Sequence, residues 1–396
     1  MINKAELKEK YEFVKNKLIN ENIRSINNYK EKVIVISNRY NGIWLEHVYD
    51  SIIYARLFND YSIAINTINL FIDLQNELGQ LPCFIKSDSS IGYSQLQECV
   101  SFYNLCFVVY EKIRDINFLK KVYTSLNKWI GFVYKYRMTL DMGLVEMFVG
   151  YDTGHDNSPR LDTLKYKGYY SINGKRINAN IKPDDTPIIA LDLNCNLYMN
   201  LNIGVKIAKI LNDSNNEIKF LNLSKELKRN MFKYLLDKNK SFFFDLKDNK
   251  KIEIYSISIL HLFQERVLDL KEDKELIDNI FNKYINNKKE FNTNYPFPSI
   301  SISDKSSINH RMTNSWGYYS QALTTLRLSL WMDYYGYSNE LDNVLLKWVE
   351  VFIKYYNEFP FTQEIDPISG IPTDSSPYYS TSMLLFLYGI NRLKLI

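Results

Sequence analysis

Hydrophobic positions recur at helical spacing along most of the chain. Phe102, Leu105, Cys106, Val109 and Ile113 follow the i, i+3, i+4, i+7, i+11 pattern of one apolar helix face. Leu341, Val344, Leu345, Trp348 and Phe352 do the same. Periodicity of this kind predicts about twelve helices. They fall near 4–26, 46–60, 62–78, 94–113, 116–137, 188–212, 223–238, 255–267, 273–285, 315–336, 339–356 and 378–392. Short polar turns such as Asn59-Asp60 and Tyr337-Ser338-Asn339 join several neighbours. Short connections make antiparallel hairpins. Six hairpins can close into a double ring, but periodicity alone does not separate that ring from a solenoid. Residues 33–37, Val-Ile-Val-Ile-Ser, predict a short strand ahead of the second helix.

Two segments break the helical pattern. Residues 138–187 hold Gly143, Gly150, Gly154, Pro159, Pro183 and Pro187, and residues 286–314 hold Tyr295-Pro296-Phe297-Pro298-Ser299. Loops this long inside a compact domain are usually functional. No linker with a composition shift and no 20–50-residue repeat is visible, so residues 1–396 read as a single domain. A chain of 396 residues with 46% hydrophobic content can bury a large core. Its net charge of +4 is spread without a basic block, which points away from nucleic acid and from a membrane surface. The N-terminal residues alternate charges without an apolar signal region, and no run approaches the roughly 18 apolar residues of a membrane span. Cys83, Cys99, Cys106 and Cys195 form no C-x-x-C pair, so reduced thiols and a cytoplasmic location are expected. With 31 Tyr and 22 Phe, the chain has rings to wall a wide cavity, although a general bias toward Tyr, Asn, Lys and Ile explains the count equally well.

Candidate chemistry concentrates in Tyr151-Asp152-Thr153-Gly154-His155-Asp156-Asn157-Ser158-Pro159-Arg160-Leu161-Asp162. Such a segment is poor at making helix or strand and suits a carboxyl group held at a cavity rim. A second acid, Glu364, stands in Phe361-Thr362-Gln363-Glu364-Ile365-Asp366-Pro367, between the last two predicted helices. Glu46, His47 and Asp50 are spaced to bind a metal, but without a second His they read better as a rim cluster, and no metal or cofactor is expected. No Gly-x-Ser-x-Gly elbow, P-loop or Gly-x-Gly-x-x-Gly is present. Taken alone, Asp-Asn-Ser-Pro is an ordinary turn and helix start.

The Asp156 segment resembles the Gly-x-Asp-Asn-Ser-Pro-Arg signature of inverting glycosidases with an (α/α)6 barrel, the trehalase and processing α-glucosidase group. Other blocks are similar to that family's and fall in its order. They are Trp44 to Ser51 with Tyr49-Asp50-Ser51, Tyr93-Ser94-Gln95, Leu191-Asp192-Leu193-Asn194 before Leu197-Tyr198, Pro298-Ser299-Ile300, the Glu364 segment, and Tyr378-Tyr379-Ser380-Thr381-Ser382. The length is similar to single-domain members of glycoside hydrolase family 63, which act on small α-glucosides or α-mannosides, including glycerate conjugates. The resemblance implies an all-α (α/α)6 toroid of six hairpins with long rim loops. It implies an inverting α-glycosidase with Asp156 as general acid and Glu364 as general base, acting on a small-molecule glycoside. It also implies a substrate-binding set of Trp44, Tyr49, Asp50, Tyr93, Gln95, Gly154, His155, Arg160, Trp316 and Tyr318. Core packing is the alternative for Trp44, Trp316, Tyr49 and Tyr93, and a salt bridge to Asp162 for Arg160; Asp192 reads as structural, tying a helix to the long loop. The chain departs from the family pattern in Asn314-Ser315-Trp316-Gly317-Tyr318-Tyr319, which lacks the usual Arg and Pro, in Ser94-Gln95-Leu96-Gln97, and in Ile365 after Glu364. These departures leave two other readings open, a glycoside phosphorylase on a similar toroid and a non-catalytic sugar-binding protein.

Overall fold

The computed structural model describes residues 4–26, 28–96, 100–169, 172 and 178–396. Cys99, Gln97 and Gly174 lie outside the described residues. The chain divides into two compact units. The first comprises Met1–Thr67, Ile85–Ser90 and Phe281–Ile396, and the second Ile68–Phe84 and Ile91–Ile280.

The first unit is organised on its last helix. Helix α1 spans Lys4–Lys17, α2 Val48–Phe58, α10 Ala322–Arg327, α11 Ser338–Lys354 and α12 Ser380–Leu393. Helix α12 packs against α1, α2, α10 and α11. Every position from Ser380 to Ile390 except Tyr388 is buried, and a helix apolar nearly all round belongs at a core centre. Helix α11 is amphipathic, burying Leu341, Val344, Leu345, Trp348 and Phe352 as its spacing predicts. The predicted strand is present but displaced: Tyr29–Ile34 pairs antiparallel with Ile23–Ile26, and residues 35–37 continue as loop. Residue 42 must be glycine, because a Cβ there would stand 2.6 Å from the Ile85 carbonyl oxygen.

The second unit is built around α6, Leu191–Ile210, which packs against α4 (Phe102–Ile113), α5 (Ile116–Tyr136), α7 (Ser214–Tyr234) and the short α8 (His261–Gln264). Helix α5 starts where Asp115 accepts the N–H groups of Asn117 and Phe118, a carboxylate capping the helix's free donors. Helix α9, Lys274–Ile280, ends this unit, and helix α3, Ser62–Asp73, has residues in each of the two units. A four-stranded antiparallel sheet places Lys250–Ile252, Asp245–Lys247, Ile188–Ile189 and Glu146–Met147 side by side. This sheet fixes both ends of the Gly- and Pro-rich segment. Met147 leads into it, and Leu246 pairs with Ile189 just before α6 begins.

Several predicted boundaries move: the helix expected over 4–26 gives way to a strand at Ile23–Ile26, and the one expected over 255–267 is reduced to the turns Ile257–Leu260 and His261–Gln264. The helix expected from residue 94 starts at Phe102, and the one expected from 223 starts at Ser214, where Asp213 caps it through the Asn216 N–H. The helix expected over 315–336 shrinks to Ala322–Arg327 and one further turn, Leu328–Leu330. Residues Ser320–Gln321 are extended instead and pair with Glu364–Ile365. Among the described residues, no helix is long and apolar enough to cross a membrane. Cys83, Cys106 and Cys195 are buried free thiols.

Candidate active site

In the second unit, the Asp156 segment is fastened on both sides. Asp152, four residues before Asp156, is fully buried and receives two bonds from Arg137, at 2.7 and 2.9 Å. It also accepts the backbone N–H groups of Phe148, Val149 and Leu96 at 2.8, 3.1 and 3.1 Å. Arg137 completes its own fork on the carbonyls of Ala179 and Glu146. Four residues after Asp156, the Arg160 guanidinium donates to Asp245 at 2.7 Å, to Asp192, and to the Thr153 hydroxyl at 3.2 Å. Arg160 therefore pairs with Asp192 and Asp245; Asp162 is exposed and is not its partner. Asp192 ties α6 to the loop, accepting the Thr153 hydroxyl at 2.8 Å. Asp245 caps α6 by accepting the Leu191 N–H.

Charge sharing decides the ionisation of this group. Burial would lower the Arg160 pKa, but the charges of Asp192 and Asp245 outweigh it and raise it. Burial works against ionised Asp192, yet Arg160, His155 and His261 hold its carboxyl below the usual range. Asp245 is raised by burial first, with Arg160 offsetting only part and the Asp192 charge adding to the rise. One guanidinium thus serves two carboxylates, and Asp192 has the larger share.

Asp156 itself is half-buried, in a turn where Asn157 takes a left-handed φ of 58° before Pro159–Leu161 coils. Asn tolerates that conformation, so the sequence Asp-Asn-Ser-Pro builds the turn locally. Gly154 and His155 are buried beside it. The His155 Nδ1 lies 3.7 Å from Asp192 Oδ2 and 3.5 Å from an Arg160 nitrogen, and its ring stands 5.8 Å from that of His261. His155, Asp192 and His261 offer three possible metal-ligand atoms within 4.8 Å of one another. The donor set does not fit a metal well, because the Arg160 guanidinium already supplies the positive charge against Asp192. Tyr93 and Gln95 are half-buried nearby in sequence order. The Tyr93 hydroxyl donates to the Leu74 carbonyl, and Gln80 donates to the carbonyls of both Tyr93 and Gln95.

In the first unit, the strand pair sets Glu364 directly across from Gln321. Glu364 is fully buried. It accepts from the Gln321 amide at 2.7 Å, the Asn314 N–H at 2.8 Å and the Thr373 hydroxyl at 3.1 Å. Burial raises its pKa, and bonds from Gln321, Asn314, Thr373 and the Ser315 backbone offset part of the rise. The neighbouring Gln363 donates to Asn314 Oδ1 at 3.0 Å and accepts the Tyr40 hydroxyl at 3.2 Å. The Tyr40 ring meets Trp44 edge-on at 5.4 Å, and the Tyr379 ring lies 6.4 Å from it. Trp44, half-buried, is thereby linked to Glu364 through Tyr40 and Gln363. Trp316 and Tyr318 are buried, and Arg311 lies 3.9 Å over the Tyr318 ring.

Tyr49 and Asp50 are each 1% exposed and have interior partners. The Tyr49 hydroxyl bonds Ser329 at 2.8 Å, and Asp50 accepts the hydroxyls of Ser380 and Thr381, tying α2 to the start of α12. Burial raises the Asp50 pKa to about 6 despite those bonds and Arg327. The spacing of Glu46, His47 and Asp50 does not make a metal trio: His47 contacts the Tyr379 hydroxyl, and Asp50 faces α12. Tyr40, Gln321 and Thr373 were not singled out by sequence. Gln363 and Asn314 each stood in a segment that had drawn attention, Gln363 beside Glu364 and Asn314 at the start of the Trp316 block.

A family model described as the mannosylglycerate hydrolase MGH1-like glycoside hydrolase domain matches residues 52–308. By sequence, no curated protein matches the chain. Among solved structures, the GH63 mannosylglycerate hydrolase of Thermus thermophilus in complex with glucose is similar, with a TM-score of 0.73 at 14% identity. That alignment covers 96% of this chain and 99% of that one. Neutral trehalase Nth1 of Saccharomyces cerevisiae aligns with a TM-score of 0.70 at 14% identity, over 98% of this chain and 80% of that one. A rhamnosidase of Klebsiella oxytoca with rhamnose bound aligns with a TM-score of 0.61 at 11% identity, over 98% of this chain and 64% of that one. At these identities the likeness is one of fold.

Proposed function

The chain belongs to the mannosylglycerate hydrolase MGH1-like glycoside hydrolase family, and from that premise we propose that it hydrolyses a small α-glucoside or α-mannoside with inversion. Asp156 is the general acid and Glu364 the general base. Residues 1–396 act as one (α/α)6 catalytic domain, a reading supported by the likeness of fold to the Thermus hydrolase and the yeast trehalase. The substrate is a small soluble glycoside, glycerate conjugates included.

The observation that carries the proposal is the setting of Glu364. A carboxylate fully removed from solvent is costly unless several donors meet it. Glu364 meets a backbone N–H, an amide and a hydroxyl, which favour its ionised form although it is buried. That is what a base needs in order to take a proton from water near neutral pH. In the reaction, Asp156 protonates the glycosidic oxygen as the bond to the anomeric carbon breaks. Water attacks that carbon from the opposite face, and Glu364 takes the proton it loses. The Arg137–Asp152 and Arg160–Asp192 pairs keep the acid's loop from moving. Trp44, Tyr93, Trp316 and Tyr318 contribute ring faces for the sugar, while Gln95, Gly154, His155 and Arg160 shape the acid's surroundings.

The test is a panel of α-glucosides and α-mannosides, assayed with and without inorganic phosphate. Hydrolysis independent of phosphate, and lost in both Asp156→Asn and Glu364→Gln, is the expected result. Turnover that requires phosphate and survives Glu364→Gln would replace hydrolysis with phosphorolysis.

A further inference from the structure

Gln321 holds an arrangement that the reaction as described leaves unused. Its side chain is fully buried. The amide nitrogen donates to Glu364 at 2.7 Å and to the Ser315 carbonyl at 3.2 Å. Both partners are acceptors, so turning the amide round would set oxygen against oxygen. That fixes which corner of the amide is Oε1. Among the described residues, Gln321 Oε1 is buried and has no hydrogen-bond partner. A buried acceptor left unsatisfied carries a desolvation penalty, and such an atom in a native fold calls for an explanation. The backbone excludes slack as the explanation. Gln321 is paired across the strand with Glu364, and the next residue, Ala322, donates its N–H to the Gln363 carbonyl at 2.9 Å.

We propose that Gln321 is a further catalytic residue, which holds the attacking water together with Glu364. The proposal rests on the assignment of Glu364 as the base. The water donates one hydrogen to the Glu364 carboxylate and the other to Gln321 Oε1. With both hydrogens directed, a lone pair of its oxygen is aimed at the anomeric carbon. As the carbon–oxygen bond forms, the O–H bond facing Glu364 breaks and its proton passes to the carboxylate. The glycosidic bond breaks with its electron pair on the leaving oxygen, which takes the Asp156 proton. The second hydrogen stays on the new hydroxyl, still held by Gln321. The Gln321 nitrogen meanwhile steadies the ionised base.

The experiment uses α-glucosyl and α-mannosyl fluoride with the full chain, because fluoride departs without a proton from Asp156 and the water half of the reaction is read alone. Gln321→Met keeps the volume and removes both the donor and the acceptor. Its kcat is expected to fall about 10–100-fold, the worth of one bond to a charged or reacting group. KM is expected to hold within about twofold, because the bound sugar is not the group lost. The acid limb of its pH profile moves upward, since Glu364 loses a donor to its ionised form. If Gln321→Met does not fold, Gln321→Glu serves in its place, with the acid limb again displaced upward by the added negative charge. A raised KM with unchanged kcat would show a grip on a sugar hydroxyl and overturn the proposal. Wild-type kcat and limb in Gln321→Met, with Glu364→Gln inactive, would remove Gln321 and leave the base standing. Full activity in Glu364→Gln would sink the base assignment and this proposal together.

Discussion

Arg160→Met tests how the Asp156 loop is held. Arg160 is 1% exposed and neutralises two carboxylates that are themselves inside the protein. Methionine fills most of the volume but leaves Asp192 and Asp245 with no cation in contact. Removing one partner of a buried ion pair costs about 3–5 kcal/mol, because the orphaned charge remains in a poor solvent. An unfolding entropy of about 2.1 cal/mol/K per residue gives roughly 0.8 kcal/mol/K for this chain, so Tm should fall by about 4–6 °C at pH 7. The pH dependence follows from the signs of the shifts. In the wild type, Asp192 is held below its ordinary pKa, so its contribution is present above the unfolded value and fades as pH falls through the folded one. Asp245 is already raised. Without Arg160, both folded pKa values rise above the unfolded value. The variant then favours the protonated acids and loses stability as pH increases through those raised values. The deficit should therefore be large at pH 7 and shrink toward pH 4. Neutralising the carboxylates in Arg160→Met/Asp192→Asn/Asp245→Asn should recover part of it. Thermal melts followed by circular dichroism from pH 4 to 8 provide the measurement. A variant that melts with the wild type at pH 7, or a deficit independent of pH, would refute the reasoning.

Four further outcomes are expected. Asp156→Asn and Glu364→Gln should each lower kcat by about 10²–10⁴ or more on substrates needing protonation, with the fold retained, as steady-state kinetics and circular dichroism will show. The pH profile of kcat/KM should be bell-shaped, its acid limb lying above the ordinary glutamate range because burial raises Glu364, which the proposed mechanism uses in its ionised form; an acid limb at an ordinary carboxylate value would contradict this. Asp50 has a folded pKa of about 6, so it favours the fold below its unfolded value and that contribution is lost as pH rises through about 6; Asp50→Asn should flatten the change of Tm between pH 4 and 7. Arg137→Leu leaves Asp152 buried without its cation, and should reduce both Tm and the catalytic rate by loosening the loop before Asp156.

The sequence was most legible where burial has a period. Helices α5 and α11 stand within about two residues of the segments that their apolar spacing predicts. Legibility failed where a residue's partner is remote. Residues 315–321 look helical because Trp316, Tyr319 and Leu323 are suitably spaced, but Ser320 and Gln321 pair with residues 364 and 365, and local spacing says nothing about that. The same limit hid Gln321 and Tyr40, whose roles depend on bonds to residues more than forty positions away. Arg160 was singled out by the motif, but its partners, Asp192 and Asp245, lie 32 and 85 residues along the chain. Asp162, next to it in sequence, was the wrong partner because the turn at Pro159–Leu161 leaves it on the surface.

The central claim is that Glu364 delivers water to the face opposite the bond that Asp156 protonates. The anomeric configuration of the first-formed sugar tests it most directly. Proton NMR spectra, taken in the first minutes of hydrolysis of the α-glycoside found by the panel, read that configuration before mutarotation. The account predicts that the β-anomer appears first and the α-anomer grows in later. An α-anomer formed first would contradict it, since retention requires the second carboxylate to bond the sugar rather than activate water.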